Sequence, residues 1–158
     1  MLNFQYFTPT KVVFGKEAEL KVGSLVKEEG CKKVLVHYGG QSAKKSGLLD
    51  RVCEALKDFD IDYVTLGGVV PNPHLSKVYE GIELGKKMEA DFVLAVGGGS
   101  VIDTVKAISY GLAEPEEDVW TLFAHTRTAK KFLPVASVLT IAAAGSETSN
   151  SCVITKAD

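Results

Sequence analysis

The residues best suited to chemistry in this chain are glycines and hydroxyls, and the chemistry they suit is holding a phosphate. Val96-Gly97-Gly98-Gly99-Ser100 follows the apolar run Phe92-Val93-Leu94-Ala95 and precedes Val101, Ile102, Val105, Ile108 and Leu112 at helical spacing. That pattern predicts a strand, a tight turn and a helix. Successive glycines are expected to take positive φ and to let the backbone lie close to a ligand. The helix that follows aims its unpaired N–H groups and its positive dipole end at the same place. Such a turn binds anions, phosphate above all, whereas a turn that merely joins strand to helix would need one glycine or two. Asp103 falls in the first helical turn on this reading, where a carboxylate stabilises the dipole by about 0.3–1 kcal/mol. Aimed at a pyrophosphate it would repel, so a functional Asp103 has to point past the phosphates, toward a sugar hydroxyl or beyond.

A second glycine-rich turn, Gly39-Gly40-Gln41-Ser42, leaves the apolar run Lys33-Val34-Leu35-Val36-His37-Tyr38 and is followed by Lys44 and Lys45. Further on, Thr140-Ile141-Ala142-Ala143-Ala144-Gly145-Ser146-Glu147-Thr148-Ser149-Asn150 joins small residues, which would let a flat ligand reach the backbone, to a cluster of hydroxyls. A polar loop after a strand explains that stretch equally well. Groups able to catalyse unaided are missing. His37, His74 and His125 are far apart and none has a metal-ligand partner at helical spacing; His37 reads as a strand residue. Gly145-Ser146-Glu147 is not a GxSxG elbow. The GxGxxG fingerprint fails at Ile102, and no Walker lysine follows Gly99.

The elements that must position these residues alternate along the chain. Phe4 to Thr8 and Lys11 to Gly15 read as short strands, Ala18 to Glu29 as a helix ended by Gly30, and 33–38 as a strand buried on both faces. A helix through Leu48, Leu49, Val52, Leu56 and Phe59 leads to a strand at 61–66. Asn72 is the expected N-cap, with Pro73 at the first position, of a helix carrying Leu75, Val78, Ile82, Gly85 and Met88. Glu114-Pro115-Glu116-Glu117-Asp118 reads as a solvated acidic loop, and strands are expected at 133–141 and 151–155. Repeated strand–helix alternation predicts an α/β, Rossmann-like doubly wound fold, its mainly parallel sheet covered by helices on both faces. Ligands of such sheets bind beyond the carboxyl ends of the strands, where the strand order reverses, so both glycine turns are expected to face one crevice.

Composition sets the bounds. At 158 residues, 46% of them hydrophobic and 24% charged, the chain reads as one domain spanning 1–158. A net charge of −2 gives no basic field for nucleic acid or a membrane surface. Cys31, Cys53 and Cys152 are widely spaced and lack a CxxC pattern, which suggests reduced thiols and a cytoplasmic setting. Neither a leader nor a membrane span is expected.

Several of these motifs together resemble the iron-containing alcohol dehydrogenase family: Val96-Gly97-Gly98-Gly99-Ser100 with Asp103, Pro71-Asn72-Pro73, Thr140 with Gly145-Ser146-Glu147, and the opening Pro9-Thr10-Lys11-Val12-Val13-Phe14-Gly15. The likeness is greatest to the butanol-dehydrogenase-like branch, which carries Tyr-Gly-Gly after its second main strand. The resemblance implies that Gly97, Gly98, Gly99 and Ser100 cradle a pyrophosphate. It places Asp103 and Asn72 on the nicotinamide side, gives Thr140 and Ser146 hydrogen bonds to the cofactor, and matches Asn150 to a further polar position. Ala144 departs from a threonine common in relatives. Family members continue into an all-helical domain that holds Fe2+ or Zn2+ through one aspartate and three histidines. The expectation is therefore that this chain is the nucleotide-binding half, with no metal site and no catalytic residue of its own. The whole enzyme would exchange hydride between a nicotinamide and a small primary alcohol or aldehyde such as butanol. Glycerol or polyol dehydrogenases and dehydroquinate-synthase relatives are alternatives within the superfamily. Outside it stand a GGDG-type phosphoryl-transfer kinase, disfavoured because Gly99 occupies the acidic position, and a stand-alone nucleotide-binding module. The resemblance also implies a homodimer through residues 2–14, since an aromatic edge strand invites pairing.

Cofactor choice can be read from the second turn. NAD sites usually place a carboxylate at the end of the neighbouring strand, where it bonds the ribose 2′-OH and repels a 2′-phosphate. No carboxylate stands between Tyr38 and Asp50. Gly39 and Gly40 offer N–H groups, Ser42 a hydroxyl, and Lys44 and Lys45 positive charge, a set that suits a phosphate dianion. The expectation is NADP(H) over NAD(H).

Overall fold

The computed structural model describes Asn3 and residues 7–157. Four apolar segments form a parallel sheet: β1 (Lys33–Tyr38), β2 (Asp62–Leu66), β3 (Phe92–Gly97) and β4 (Val135–Leu139), in the order β2-β1-β3-β4. The two central strands are buried along almost their whole length, which is why they read as continuous apolar runs rather than alternating ones. Register pairs Val34 with Phe92 and Tyr38 with Val96.

Helices cover both faces. On one side α1 (Val22–Glu28) and α3 (Leu48–Lys57) pack Val26, Val52 and Leu56 against Val34, Val36 and Leu94. A four-residue helix, α2 (Ser42–Lys45), precedes α3. On the other side α4 (Leu75–Met88) and α5 (Gly99–Ala113) pack Val78, Ile82, Val105 and Ile108 against Leu35 and Val93. A last short helix, α6 (Trp120–Phe123), follows α5. The expected α/β doubly wound architecture is the observed one. No helix among the described residues is long and apolar enough to cross a membrane.

Several local expectations are corrected. Of the strand expected at 4–8, Phe4, Gln5 and Tyr6 lie outside the described residues. Lys11 to Gly15 forms no strand: among the described residues no segment offers it a ladder, and Phe14 is almost fully exposed. The strand expected at 151–155 reduces to one parallel bridge, Thr155 to His74. That bridge also explains the start of α4. The Thr155 N–H donates to Pro73 O at 2.8 Å and the Leu75 N–H to Thr155 O at 2.9 Å, so His74 is held extended and becomes the N-cap. Asn72, the expected cap, lies two residues upstream with φ 56°. The acidic loop is not merely solvated. Glu114 pairs with Arg127 and accepts the Lys130 N–H at 2.9 Å, and Asp118 accepts the Tyr79 hydroxyl at 2.6 Å. The Arg127 guanidinium holds the Glu114 carboxyl below its ordinary pKa, whereas burial, with Asp118 adding to it, pushes the Tyr79 phenol up to about 12.

Two further contacts fix the frame. At the amino end of the sheet, Asp91 accepts the Lys32 N–H at 2.9 Å and the Lys33 N–H at 2.9 Å, tying the start of β1 to the residue before β3. Within β1, His37 is fully buried; its Nδ1 donates to Leu66 O at 2.8 Å while Nε2 has no partner among the described residues. Desolvation lowers its pKa to about 4; the Leu66 bond opposes that shift, and Lys77 reinforces it.

Two predictions follow from this packing. A Cβ on Gly23 of α1 would stand 1.9 Å from Ala55 O of α3. Gly23→Ala is therefore expected to lower stability in denaturant melts by about 1–3 kcal/mol despite alanine's better helix propensity. The unfolded imidazole binds its proton below about pH 6.5 and the folded one only near 4, so stability should fall as pH drops across that window. The full effect is on the order of 3 kcal/mol. Melts of the unmodified protein against His37→Gln at pH 7 and pH 4.5 should show the fall shrinking in the variant.

Candidate cofactor-binding site

The crevice forms where the chain changes direction. From β1 it crosses outward to β2, then returns past β1 to β3, so the connections leave the carboxyl ends of β1 and β3 on opposite sides and open a gap between them. Because Tyr38 is level with Val96, the turns beginning at Gly39 and Gly97 emerge side by side. A Cβ on Gly39 would lie 3.5 Å from Val101 Cγ2 of α5. The loop after β2 closes in as well, its Gly68 N–H donating to Gly39 O at 3.4 Å. On the far side, the Thr140 N–H donates to Gly97 O at 3.1 Å, which brings the end of β4 to the same rim. Gly39, Gly97 and Thr140 are thus gathered as the sequence suggested.

The glycines act differently from expectation. None of Gly97, Gly98 and Gly99 takes a left-handed φ; Gly98 is extended, with φ −98° and ψ −165°. Their need for hydrogen at Cα is steric. A Cβ on Gly97 would stand 2.5 Å from Val101 Cγ2, and one on Gly99 3.4 Å from Ser146 Oγ. Gly98 faces open space, with nothing within 4 Å of its Cβ position. Gly98 is the N-cap of α5, and its carbonyl accepts the Val101 and Ile102 N–H groups at 3.0 and 3.2 Å. The Gly99 and Ser100 N–H groups have no acceptor among the described residues, and they sit at the positive end of a 15-residue helix.

Asp103 lies beyond the first turn of α5, which starts at Gly99, so its expected part in stabilising the helix dipole is not the one it plays. Its Oδ2 accepts the Val153 N–H at 3.2 Å, and its Oδ1 is buried with no partner among the described residues. One turn on, Lys106 donates from Nζ to the carbonyls of Ser146 at 2.7 Å, Ser149 at 2.7 Å and Ser151 at 2.8 Å. Burial lowers the Lys106 pKa, and the Asp103 carboxylate works against that shift. Cys152 sits against the same pair; burial, aided by Asp103, pushes its thiol up to about 11. Sequence reasoning passed over Lys106, and its only signal was a position three residues after Asp103, on the same helical face.

Ser146 is half-buried beside Gly99, whereas Asn150 is exposed farther along the loop. Asn72 is exposed on the segment after β2, with no described contact to the glycine turn. Ser42, Lys44 and Lys45 are exposed on α2. Lys44 Nζ lies over the Tyr38 ring, 5.0 Å from its centroid, and so overhangs the end of β1. Cys31, Cys53 and Cys152 are free. Among the described residues no three His, Cys, Asp or Glu side chains gather where they could hold a metal ion.

A glycine turn and an open helix end at a switch point serve many nucleotide-binding proteins, so the arrangement alone does not assign a family. The profile of the iron-containing alcohol dehydrogenases matches residues 9–158. The chain belongs to that family. It is 46% identical over 155 residues to the probable NADH-dependent butanol dehydrogenase 2 of Bacillus subtilis, covering 98% of this chain and 39% of that protein. To the NADPH-dependent aldehyde reductase YqhD of Escherichia coli it is 37% identical, over 99% of this chain and 40% of the relative. The crystal structure of NADH-dependent butanol dehydrogenase A from Thermotoga maritima superposes with a TM-score of 0.94 at 45% identity, covering 98% of this chain and 38% of that one. The chain thus spans about two-fifths of the length of these relatives.

The two neighbouring glycines separate steric need from ligand need. Gly97→Ala must push Val101 and is expected to cost about 1–3 kcal/mol. Gly98→Ala meets no described atom and adopts an allowed conformation, so it should lose only the fraction of a kcal/mol, up to about 1, that alanine costs at an N-cap. Thermal unfolding of the two variants side by side checks both.

Proposed function

We propose that this chain is the dinucleotide-binding part of a metal-dependent dehydrogenase that moves hydride between NADP(H) and a small primary alcohol or aldehyde. The observation that carries the reading is the juxtaposition of the two glycine turns at the β1/β3 switch point, with the open end of α5 between them. A pyrophosphate would rest on the Gly99 and Ser100 N–H groups, in the space in front of Gly98 that any side chain there would fill. Thr140 and Ser146 line the wall on the β4 side. Asn72, Asp103 and Asn150 belong to the proposed site through family likeness, Asp103 with a carboxylate oxygen still unpartnered. The described residues assemble no metal site, so the part proposed for this chain is to bind and orient the cofactor, not to turn over alcohol by itself. Butanol-like alcohols are the proposed substrates because relatives named for butanol are among the most similar. A homodimer through residues 2–14 belongs to the same reading, with Phe7, Val12 and Phe14 exposed and Leu2 and Phe4 to Tyr6 outside the described residues.

The preference for the 2′-phosphate rests on the residues, since relatives of both NADH-dependent and NADPH-dependent name resemble the chain. Gly39 and Gly40 carry no carboxylate to repel that phosphate, and Lys44 overhangs the turn. A side chain at Gly39 would meet only ordinary contacts with Val101 and Val69, so an aspartate can be placed there without disturbing the fold. Calorimetric titration is expected to show NADPH binding about tenfold tighter than NADH, a difference of roughly 1.4 kcal/mol, with the order reversed in Gly39→Asp. Equal affinities in the unmodified protein would refute the preference, and no uptake of either dinucleotide would refute the function.

A further inference from the structure

The polar loop 141–152 forms one wall of the crevice, yet it belongs to neither sheet nor helix. Its internal bonds are local. The Thr148 N–H donates to Gly145 O at 3.1 Å, the Ser149 N–H to Ser146 O at 3.4 Å, and the Ser151 N–H to Ser149 Oγ at 3.0 Å. These shape the loop without fastening it to anything. Among the described residues, the hydrogen bonds that join 141–152 to the rest of the chain are the three from Lys106 Nζ. An ammonium has three donors and no acceptor, and here each donor meets one carbonyl at 2.7–2.8 Å. The carbonyls of Ser146, Ser149 and Ser151 thus form a cation nest whose cation is tethered to α5, the helix whose end faces the crevice.

We infer that Lys106 is a positioning residue for the cofactor: by drawing those three carbonyls onto α5 it sets the Ser146 hydroxyl against the Gly99 turn. The consequence is directional. Ser146 Oγ lies 3.4 Å from where a Gly99 Cβ would stand, close enough for the hydroxyl and the Gly99 N–H to share one ligand. Without the ammonium, three carbonyls converge with no donor between them, and their mutual repulsion drives the loop off the helix. The inference rests on the proposed dinucleotide site, but the placement of the loop can be measured without it.

The test uses Lys106→Met, which keeps most of the stem and removes the charge, and Lys106→Ala. In Lys106→Met, NADPH and NADH affinities are expected to fall by roughly tenfold or more. Amide exchange at Thr148 and Ser149 should accelerate while Val93 to Val96 of β3 stays protected. In Lys106→Ala, propylammonium replaces the atoms removed beyond Cβ and is expected to recover affinity that propanol, neutral and of similar size, does not. Unchanged cofactor affinity in Lys106→Met would overturn the inference. So would exchange that rises as much in β3 as in the loop, since Lys106 would then merely support the fold. If the unmodified protein takes up neither dinucleotide, the proposed function fails and the cofactor role with it, while exchange in the loop still reports whether Lys106 holds 146–151 in place.

Discussion

The parallel ladder between β1 and β3 is the constraint from which the rest of the structure descends. Both strands are buried on both faces, so their backbone N–H and C=O groups have to be paired with one another or with their outer neighbours. Pairing them directly, with β2 sent outward from β1, makes the connections diverge at one end and opens a gap there. Two turns without side chains border that gap, and a helix end supplies N–H groups to it. The site is thus a by-product of topology, furnished by a handful of small residues.

What was legible in the sequence follows the same logic. Val34-Leu35-Val36 and Phe92-Val93-Leu94 announce buried strands because burial on both faces leaves no room for polar alternation. The glycine turns announce themselves by their composition, although in the fold it is Gly97 that cannot take a Cβ, and there the reason is Val101 and not an unusual φ. Edges were harder. A short apolar run such as Val12 to Phe14 says which side chains are apolar but not whether a partner strand exists, and Thr155 finds its partner in the chain before α4, not in the sheet. That distant bridge is also why Asn72-Pro73, a good helix-start signal by itself, is overruled by His74. Lys106 was invisible for a related reason: an isolated lysine on a helix reads as solvated until the fold shows three carbonyls converging on it.

Family membership and geometry bear on different parts of the problem. The family match spans nearly the whole chain, yet the relatives are more than twice as long, so the likeness speaks most directly to this sheet and its rim. There the chain has what cofactor binding needs, an open helix end, close backbone and hydroxyls. Among the described residues no three His, Cys, Asp or Glu side chains gather into a metal-binding group.

Asp91 gives the crevice a dependence on the opposite end of the molecule. Its carboxylate gathers the Lys32 and Lys33 N–H groups at the amino end of the sheet, opposite the glycine turns. A slip of one residue between β1 and β3 would strip an N–H from that carboxylate and turn Leu35 and His37 from one helical layer toward the other. The acid therefore acts as a ruler's zero mark. Lengths counted from it along two strands bring Gly39 and Gly97 out level, and the spacing of the rim is set at the opposite end of the sheet.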